Sequence, residues 1–285
     1  RQSMDGERTP TAVADGVHIV CRGKGPATGR RSGTAALNRR MRLKEADKAG
    51  GGWRVHAERK VSFVAYKGEA IGLIGTNGSG KSTLLKAVAG LLPVESGHIY
   101  THGQPSLLGV NAALMNDLTG ERNVYLGGLA MGMSREQVKE RYQGIVDFSG
   151  INEKGDFITL PMRTYSSGMA ARLRFSIAAA KDHDVLLIDE ALATGDRRFQ
   201  VRSEERIREL RETAGTVFLV SHDRTFLDNV VTSTIAYEGD GVWREFEGGV
   251  EDWLQQSLRS QALRAAAATS PGAKPASEHK DKGES

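Results

Sequence analysis

The chain has 285 residues, 39 Lys/Arg against 35 Asp/Glu, and a formal net charge of +4. That length buries a sizeable core, enough for one large α/β domain or two small ones, and the near balance of charge gives no strong electrostatic case for nucleic acid as a partner. A single cysteine, Cys21, excludes an internal disulfide framework and fits a reducing compartment, while no run approaches the roughly 18 apolar residues that span a bilayer.

Charge is uneven along the chain. Residues 1–60 carry 14 Lys/Arg and 6 Asp/Glu. Such a run reads either as a solvated surface or as a patch facing acidic lipid head groups or a membrane partner. The opening RQSMDGERTP has no apolar core, so no signal peptide is expected, and residues 1–10 are expected to be disordered.

TAVADGVHIVC (11–21) reads as an opening strand, and the basic, Gly-rich RGKGPATGRRSG after it as a loop. A short helix is expected around Thr34–Ala49. HAERKVSFVAYKGEAIGLIG gives two strands separated by a Lys-Gly turn, and STLLKAVAGLL has apolar residues at helical spacing. SGHIYTHG returns a short strand. Residues 119–150 read as helical in two pieces, the second opened by Ser134 with Gln137 three residues on, a capping-box pattern. SSGMAARLRFSIAAA is a further helix, DVLLIDE a buried strand, DRRFQVRSEERIRELRETAG a charged, exposed helix, and TVFLVSHD another buried strand. STIAYEGDGVWREFEGG resembles a hairpin and VEDWLQQSLRSQ a last helix. From about Ala265 the composition is that of a disordered tail. Strands alternating with helices predict an α/β sheet with ligands beyond the carboxyl ends of its strands.

Gly75-Thr76-Asn77-Gly78-Ser79-Gly80-Lys81-Ser82 fits G-x-x-x-x-G-K-[ST] without a mismatch, between a strand and a helix, with Thr83 next. Glycines let backbone N–H groups turn inward around phosphates, and the following helix adds its positive end. Lys81 is expected to reach the β- and γ-phosphates, and the Ser82 hydroxyl to ligate Mg²⁺. Asp189 ends an apolar strand where a carboxylate can hold that Mg²⁺, and Glu190 follows as a candidate base for an attacking water. That pairing favours hydrolysis over transfer to a second substrate. His222, at the end of the next strand, is a candidate contact for the γ-phosphate. Asn152-Glu153-Lys154-Gly155-Asp156 is no guanine-reading motif: it has one residue too many and no apolar strand before it.

Tyr165-Ser166-Ser167-Gly168-Met169 opens a helix upstream of Asp189. There the chain resembles the ATP-binding cassette (ABC) family, whose LSGGQ signature it matches in degenerate form. The resemblance spans about residues 11–255. It implies a P-loop NTPase fold, with a RecA-like core, an antiparallel β-subdomain and a helical subdomain at about 111–180, leaving 256–285 as helix end and tail. It also implies that ATP and Mg²⁺ join two copies of the chain, Ser166 and Gly168 pressing on the γ-phosphate held by the other copy. Asp196, in ALATGD, matches the aspartate that crosses the dimer interface in this family. Two features depart from the pattern. The stretch SLLGVNAALMNDLTGERN lacks the usual Gln, with Asn111 the nearest polar candidate, and the adenine-stacking aromatic falls at or near His56, close to Trp53.

LLGVNAALMNDLTGERNVYLGG, TYSSGMAARLRFSIA and LLIDEALATGD are similar to the Wzt-like ATPases that export lipid-linked polysaccharides and teichoic acids. SFVAYKGEAIGLIGTNGSGKST is most similar to the mycobacterial version, whose cargo is cell-wall galactan. These resemblances imply a homodimer at the cytoplasmic face of the membrane, bound to a separate permease subunit. An ATPase energising another cargo and a soluble ABC ATPase remain the alternatives.

Overall fold

The computed structural model describes residues 8–24, 52–108, 114–189, 196–213, 215–239 and 241–269. Its strands form two sheets. In the smaller one, β1 (Pro10–Lys24) lies between β2 (Gly52–Tyr66) and β4 (Ser96–Thr101), antiparallel to both. β1 is longer than its apolar stretch predicts. Its pairing runs on through Arg22↔Arg54 to Lys24↔Gly52, so Arg22-Gly23-Lys24, read from sequence as loop, is strand. Ladder bonds use the backbone, and basic side chains at a strand end do not prevent them. The helix expected at Thr34–Ala49 lies outside the described residues, as do residues 1–7 and 270–285.

Lys67 and Gly68 make the expected turn, Gly68 at a φ of +89°, and lead into β3 (Ala70–Ile74). β3 belongs to the larger sheet, ordered β5 (Ser106–Leu107), β6 (Val185–Asp189), β7 (Thr216–Val220), β3, β8 (Ser233–Gly239), β9 (Val242–Glu247). All its neighbours are parallel except β9, which closes the edge as an antiparallel hairpin with β8.

VLLID and TVFLV are continuous apolar runs because both faces of this sheet are covered. Val185, Leu187, Phe218, Val220, Ile71 and Leu73 point to one side, packing with β1, β2 and the helix α1 (Lys81–Val88). Leu186, Ile188, Val217 and Leu219 point to the other. There they meet α2 (Gly120–Ala130), α3 (Arg135–Ser149), α4 (Ser167–Ala179), α5 (Arg197–Thr213) and α6 (Arg224–Val230). The two-residue period of a strand assigns each side chain to its face.

Thr119 caps α2, its hydroxyl accepting from the Arg122 N–H at 3.2 Å, and α3 carries the predicted capping box between Ser134 and Gln137. α5 is not the exposed helix its charge suggested. Phe199, Ser203, Ile207 and Leu210 recur every three or four residues and bury one face. Phe199 stands edge-on to Phe148 of α3 and Phe175 of α4, joining the three helices. The last helix, α7 (Val250–Thr269), runs past the predicted tail boundary near Ala265. Among the described residues no helix is long and apolar enough to cross a membrane.

Candidate functional site

β6, β7 and β3 lie side by side and parallel, so their carboxyl ends share one edge of the sheet. Asp189 ends β6 opposite Val220 of β7, His222 follows two residues later, and Gly75 follows β3. Three motifs far apart in the sequence are thereby brought to one edge, where helix N-termini and strand ends converge.

The loop from Gly75 to Gly80 turns tightly. Gly78 and Gly80 have φ of +80° and +103°, values that only glycine adopts at low cost. A β-carbon on Gly75 would collide with Ser79 Oγ and come 3.0 Å from Tyr237 on the neighbouring strand. Thr76, Asn77 and Gly78 are exposed at the crest of the loop; Ser82 and Thr83 are half-buried in the first turn of α1. Lys81 is buried, its ammonium donating to the carbonyls of Gly75 at 2.9 Å and Thr76 at 3.1 Å. The cation is thus held directly under the loop.

Two buried oxygens at this edge lack a hydrogen-bond partner, Ser79 Oγ and Asp189 Oδ1. Buried polar atoms are nearly always satisfied. An orphaned carboxylate oxygen on the same sheet edge as a Gly-rich loop that opens a helix fits a divalent cation with a phosphate. His222 is exposed on the turn after β7; Ser221 Oγ accepts from Asp223 N–H at 3.1 Å in that turn, and Asp223 caps α6 through Phe226 N–H. Glu190, the candidate base, and Asn111 lie outside the described residues. His56 is placed within β2 by its backbone, pairing with Val20; its side chain and that of Trp53 are not among those described.

The signature residues sit on the opposite side of the sheet from α1. Ser166 caps α4, accepting from Met169 N–H at 3.2 Å, and Ser166 and Ser167 are exposed with Gly168 half-buried behind them. The turn is braced from behind. Tyr165 donates its hydroxyl proton to the Phe157 carbonyl at 2.6 Å, and burial pushes its phenol up to about 12. The residues before it are laced to the segment preceding α2: Arg163 N–H to Asn116 O, Met162 N–H to Leu118 O, and Gly120 N–H to Leu160 O. Met115 and Leu160 stand exposed along this seam, and Arg163 pairs with Asp117.

Asp196 caps α5, accepting from the N–H groups of Arg198 and Phe199, and pairs with Arg172 of α4 at 2.5 Å. Burial opposes its charge, but the Phe199 N–H, the Arg172 guanidinium and the Arg198 N–H hold its carboxyl below the usual range. Sequence reasoning missed Arg172, Gln200, which donates to Asp223 at 2.9 Å, and the fully buried Asn123. Arg172, six residues past Ser166, carried a signal in its place on the signature helix. Gln200 and Asn123 carried none.

The family described as ABC transporter matches residues 59–193. The chain is 40% identical over 179 residues to an O-antigen export system ATP-binding protein of Klebsiella pneumoniae, spanning 62% of this chain and 72% of that protein. It is 40% identical over 199 residues to a teichoic acids export ATP-binding protein of Staphylococcus epidermidis, spanning 70% and 74%. Among solved structures, the ATP-binding subunit of an ABC transporter aligns with a TM-score of 0.65 at 19% identity, over 90% of this chain and 99% of that one. A dimeric ATP-binding cassette in a post-hydrolysis state with ADP and Pi, MJ0796, aligns with a TM-score of 0.62 at 19% identity, over 83% and 98%. At that identity the structural likeness speaks to fold.

Proposed function

The chain belongs to the ATP-binding subunits of ABC transporters, and from that premise we propose that it energises export of a lipid-linked polysaccharide through a separate membrane permease. The relatives named for O-antigen and teichoic acid export support the cargo class. The galactan of the mycobacterial resemblance is the finer reading within it. The seam of Met115, Asp117, Leu160 and Arg163 is the candidate place for the permease, since it is exposed and backs directly onto the signature turn.

The observation that carries the catalytic reading is the orphaned Asp189 oxygen on the same sheet edge as the phosphate loop. Lys81 and the loop amides bind the β- and γ-phosphates of ATP. The Ser82 hydroxyl and Asp189 hold Mg²⁺, which supplies positive charge against the phosphate oxygens. Glu190 takes a proton from the attacking water, and His222 contacts the γ-phosphate. His56 stacks on adenine.

Each site needs a second copy of the chain. α1 and α4 pack on opposite faces of the large sheet, so a signature turn serves the loop of a partner more readily than its own. ATP holds the closed dimer because the γ-phosphate touches Ser166 and Gly168 only in that state, and hydrolysis releases it. Asp196 lies beside the same interface.

A mixture of two defective chains tests the arrangement. Lys81→Ala destroys the loop, and Gly168→Glu sets a bulky acid against the γ-phosphate. In the mixed dimer both lesions fall in one composite site and the other is intact, so mixing restores part of the ATPase activity that each chain alone lacks. No recovery, with mixed dimers verified by pull-down, refutes two independently firing composite sites.

A further inference from the structure

The first turn of α5 is held at both ends. At its start Asp196 bonds to Arg172 at 2.5 Å, six residues after Ser166 on the signature helix. One turn later Gln200 donates to Asp223 at 2.9 Å, and Asp223 is the cap of α6 and the neighbour of His222. An unbroken path of contacts therefore runs from the signature turn, through α4, Arg172, Asp196, Gln200 and Asp223, to the turn that carries His222.

The first joint is stiff for a physical reason. The Arg172 side chain is only 16% exposed, and its Nε is buried without a hydrogen-bond partner. Among the described residues Asp196 is the carboxylate that answers its charge. A guanidinium so placed cannot swing away from Asp196 without leaving a half-buried charge uncompensated. Asp196 is pinned in turn by the Arg198 and Phe199 amides, and Phe199 is locked in the aromatic cluster with Phe148 and Phe175.

We propose that the first turn of α5 is a strut that fixes the signature turn relative to the His222 turn of the same chain, with Arg172 and Gln200 as its two positioning residues. Neither touches nucleotide. The strut ties the half-site a chain offers its partner to the half-site it keeps, so that both composite sites of the dimer share one geometry. The inference rests on the dimeric ATPase reading above.

The test is a double-mutant cycle on the full chain. Asp196→Asn keeps an oxygen to cap α5 while losing the charge. Asp196→Asn and Arg172→Met should each lower kcat roughly 10- to 100-fold, the scale of a small misplacement remote from the chemistry, with KM for MgATP close to wild type; Asp196→Asn, which leaves the Arg172 guanidinium uncompensated, should also lower the melting temperature, whereas Arg172→Met should not. The double variant should be no slower than either single one, and Arg172→Lys should recover part of the loss. Additive losses, or losses that follow the melting temperature, overturn the strut.

Gln200→Leu tests the second joint by placement in dimers whose other chain is otherwise wild type. Put on the chain bearing Lys81→Ala, it should slow the one working site, although that chain's His222 serves the dead site. An effect confined to the chain with the working loop overturns the strut. A wild-type chain without ATPase activity would overturn the functional reading and the strut with it; an active wild type with additive or site-confined losses overturns the strut alone.

Discussion

Replacing Asn123 by alanine should detach the segment before α2 from that helix. Asn123 is fully buried in the first turn of α2. Its Oδ1 accepts from Met115 N–H at 2.8 Å, and its Nδ2 donates to the carbonyls of Met115 at 2.8 Å, Leu118 at 3.2 Å and Thr119 at 3.1 Å. Two N–H groups shared among three carbonyls, with the accepted bond, amount to three bonds. At about 1 kcal/mol each net, Asn123→Ala should cost about 3 kcal/mol. Asn123→Asp should cost at least as much, because a buried carboxylate would face three carbonyl oxygens. The assay is urea unfolding, with proteolytic cutting between residues 114 and 119 as the local readout. MgATP binding should persist, because α2 packs on the face of the sheet opposite α1. A cost below about 1 kcal/mol for the alanine variant at an unchanged urea slope, with no new cutting, would refute the argument.

Lys81→Ala removes the ammonium held under the loop and should weaken MgATP binding roughly 10- to 100-fold, the worth of a hydrogen bond to a charged group, by equilibrium titration. Glu190→Gln should slow hydrolysis by roughly 10²–10⁴ while ATP binding and the closed dimer persist, as single-turnover kinetics and gel filtration would report. His183 joins Ser106 and the Ala178 carbonyl, and burial lowers its pKa below the usual 6.5. The unfolded chain therefore binds this proton more readily than the folded one. Its contribution to stability is intact above about pH 6.5 and is lost as pH falls from there toward the lowered folded value. Urea midpoints between pH 5 and 8 should show this slope in the native chain and less of it in His183→Gln.

Local patterns in the sequence foretold much of the architecture. The continuous runs of β6 and β7 are buried on both sides, and Ser134 with Gln137 makes the capping box. The glycines of the G-x-x-x-x-G-K-[ST] motif mark a tight loop between strand and helix, and Gly78 and Gly80 take up positive φ there. What stayed hidden was tertiary. Nothing local says that Arg172 meets Asp196, twenty-four residues on, or that Gln200 meets Asp223. β5 escaped because two residues carry no period, and it exists only through its pairing with β6. The end of β1 escaped because Arg22-Gly23-Lys24 has loop chemistry, while its partner strand supplies the reason to stay extended. α5 reads as exposed because its charge outweighs the stripe of Phe199, Ser203, Ile207 and Leu210.

The long pairing of β1 with β2 has a consequence for how the chain tolerates change. The ladder ends at Lys24 opposite Gly52, so the two points where residues 25–51 join the sheet face each other across one rung. Neighbouring strands lie about 5 Å apart, a gap that a two-residue turn bridges as well as a long excursion does. Closing that gap depends only weakly on chain length, since each doubling of a flexible loop adds only about 0.6 kcal/mol of closure entropy. A segment spliced in between Lys24 and Gly52 therefore begins and ends on a single rung, a geometry that a short turn or a fluorescent or affinity module can meet without shifting the register of the ladder beneath it.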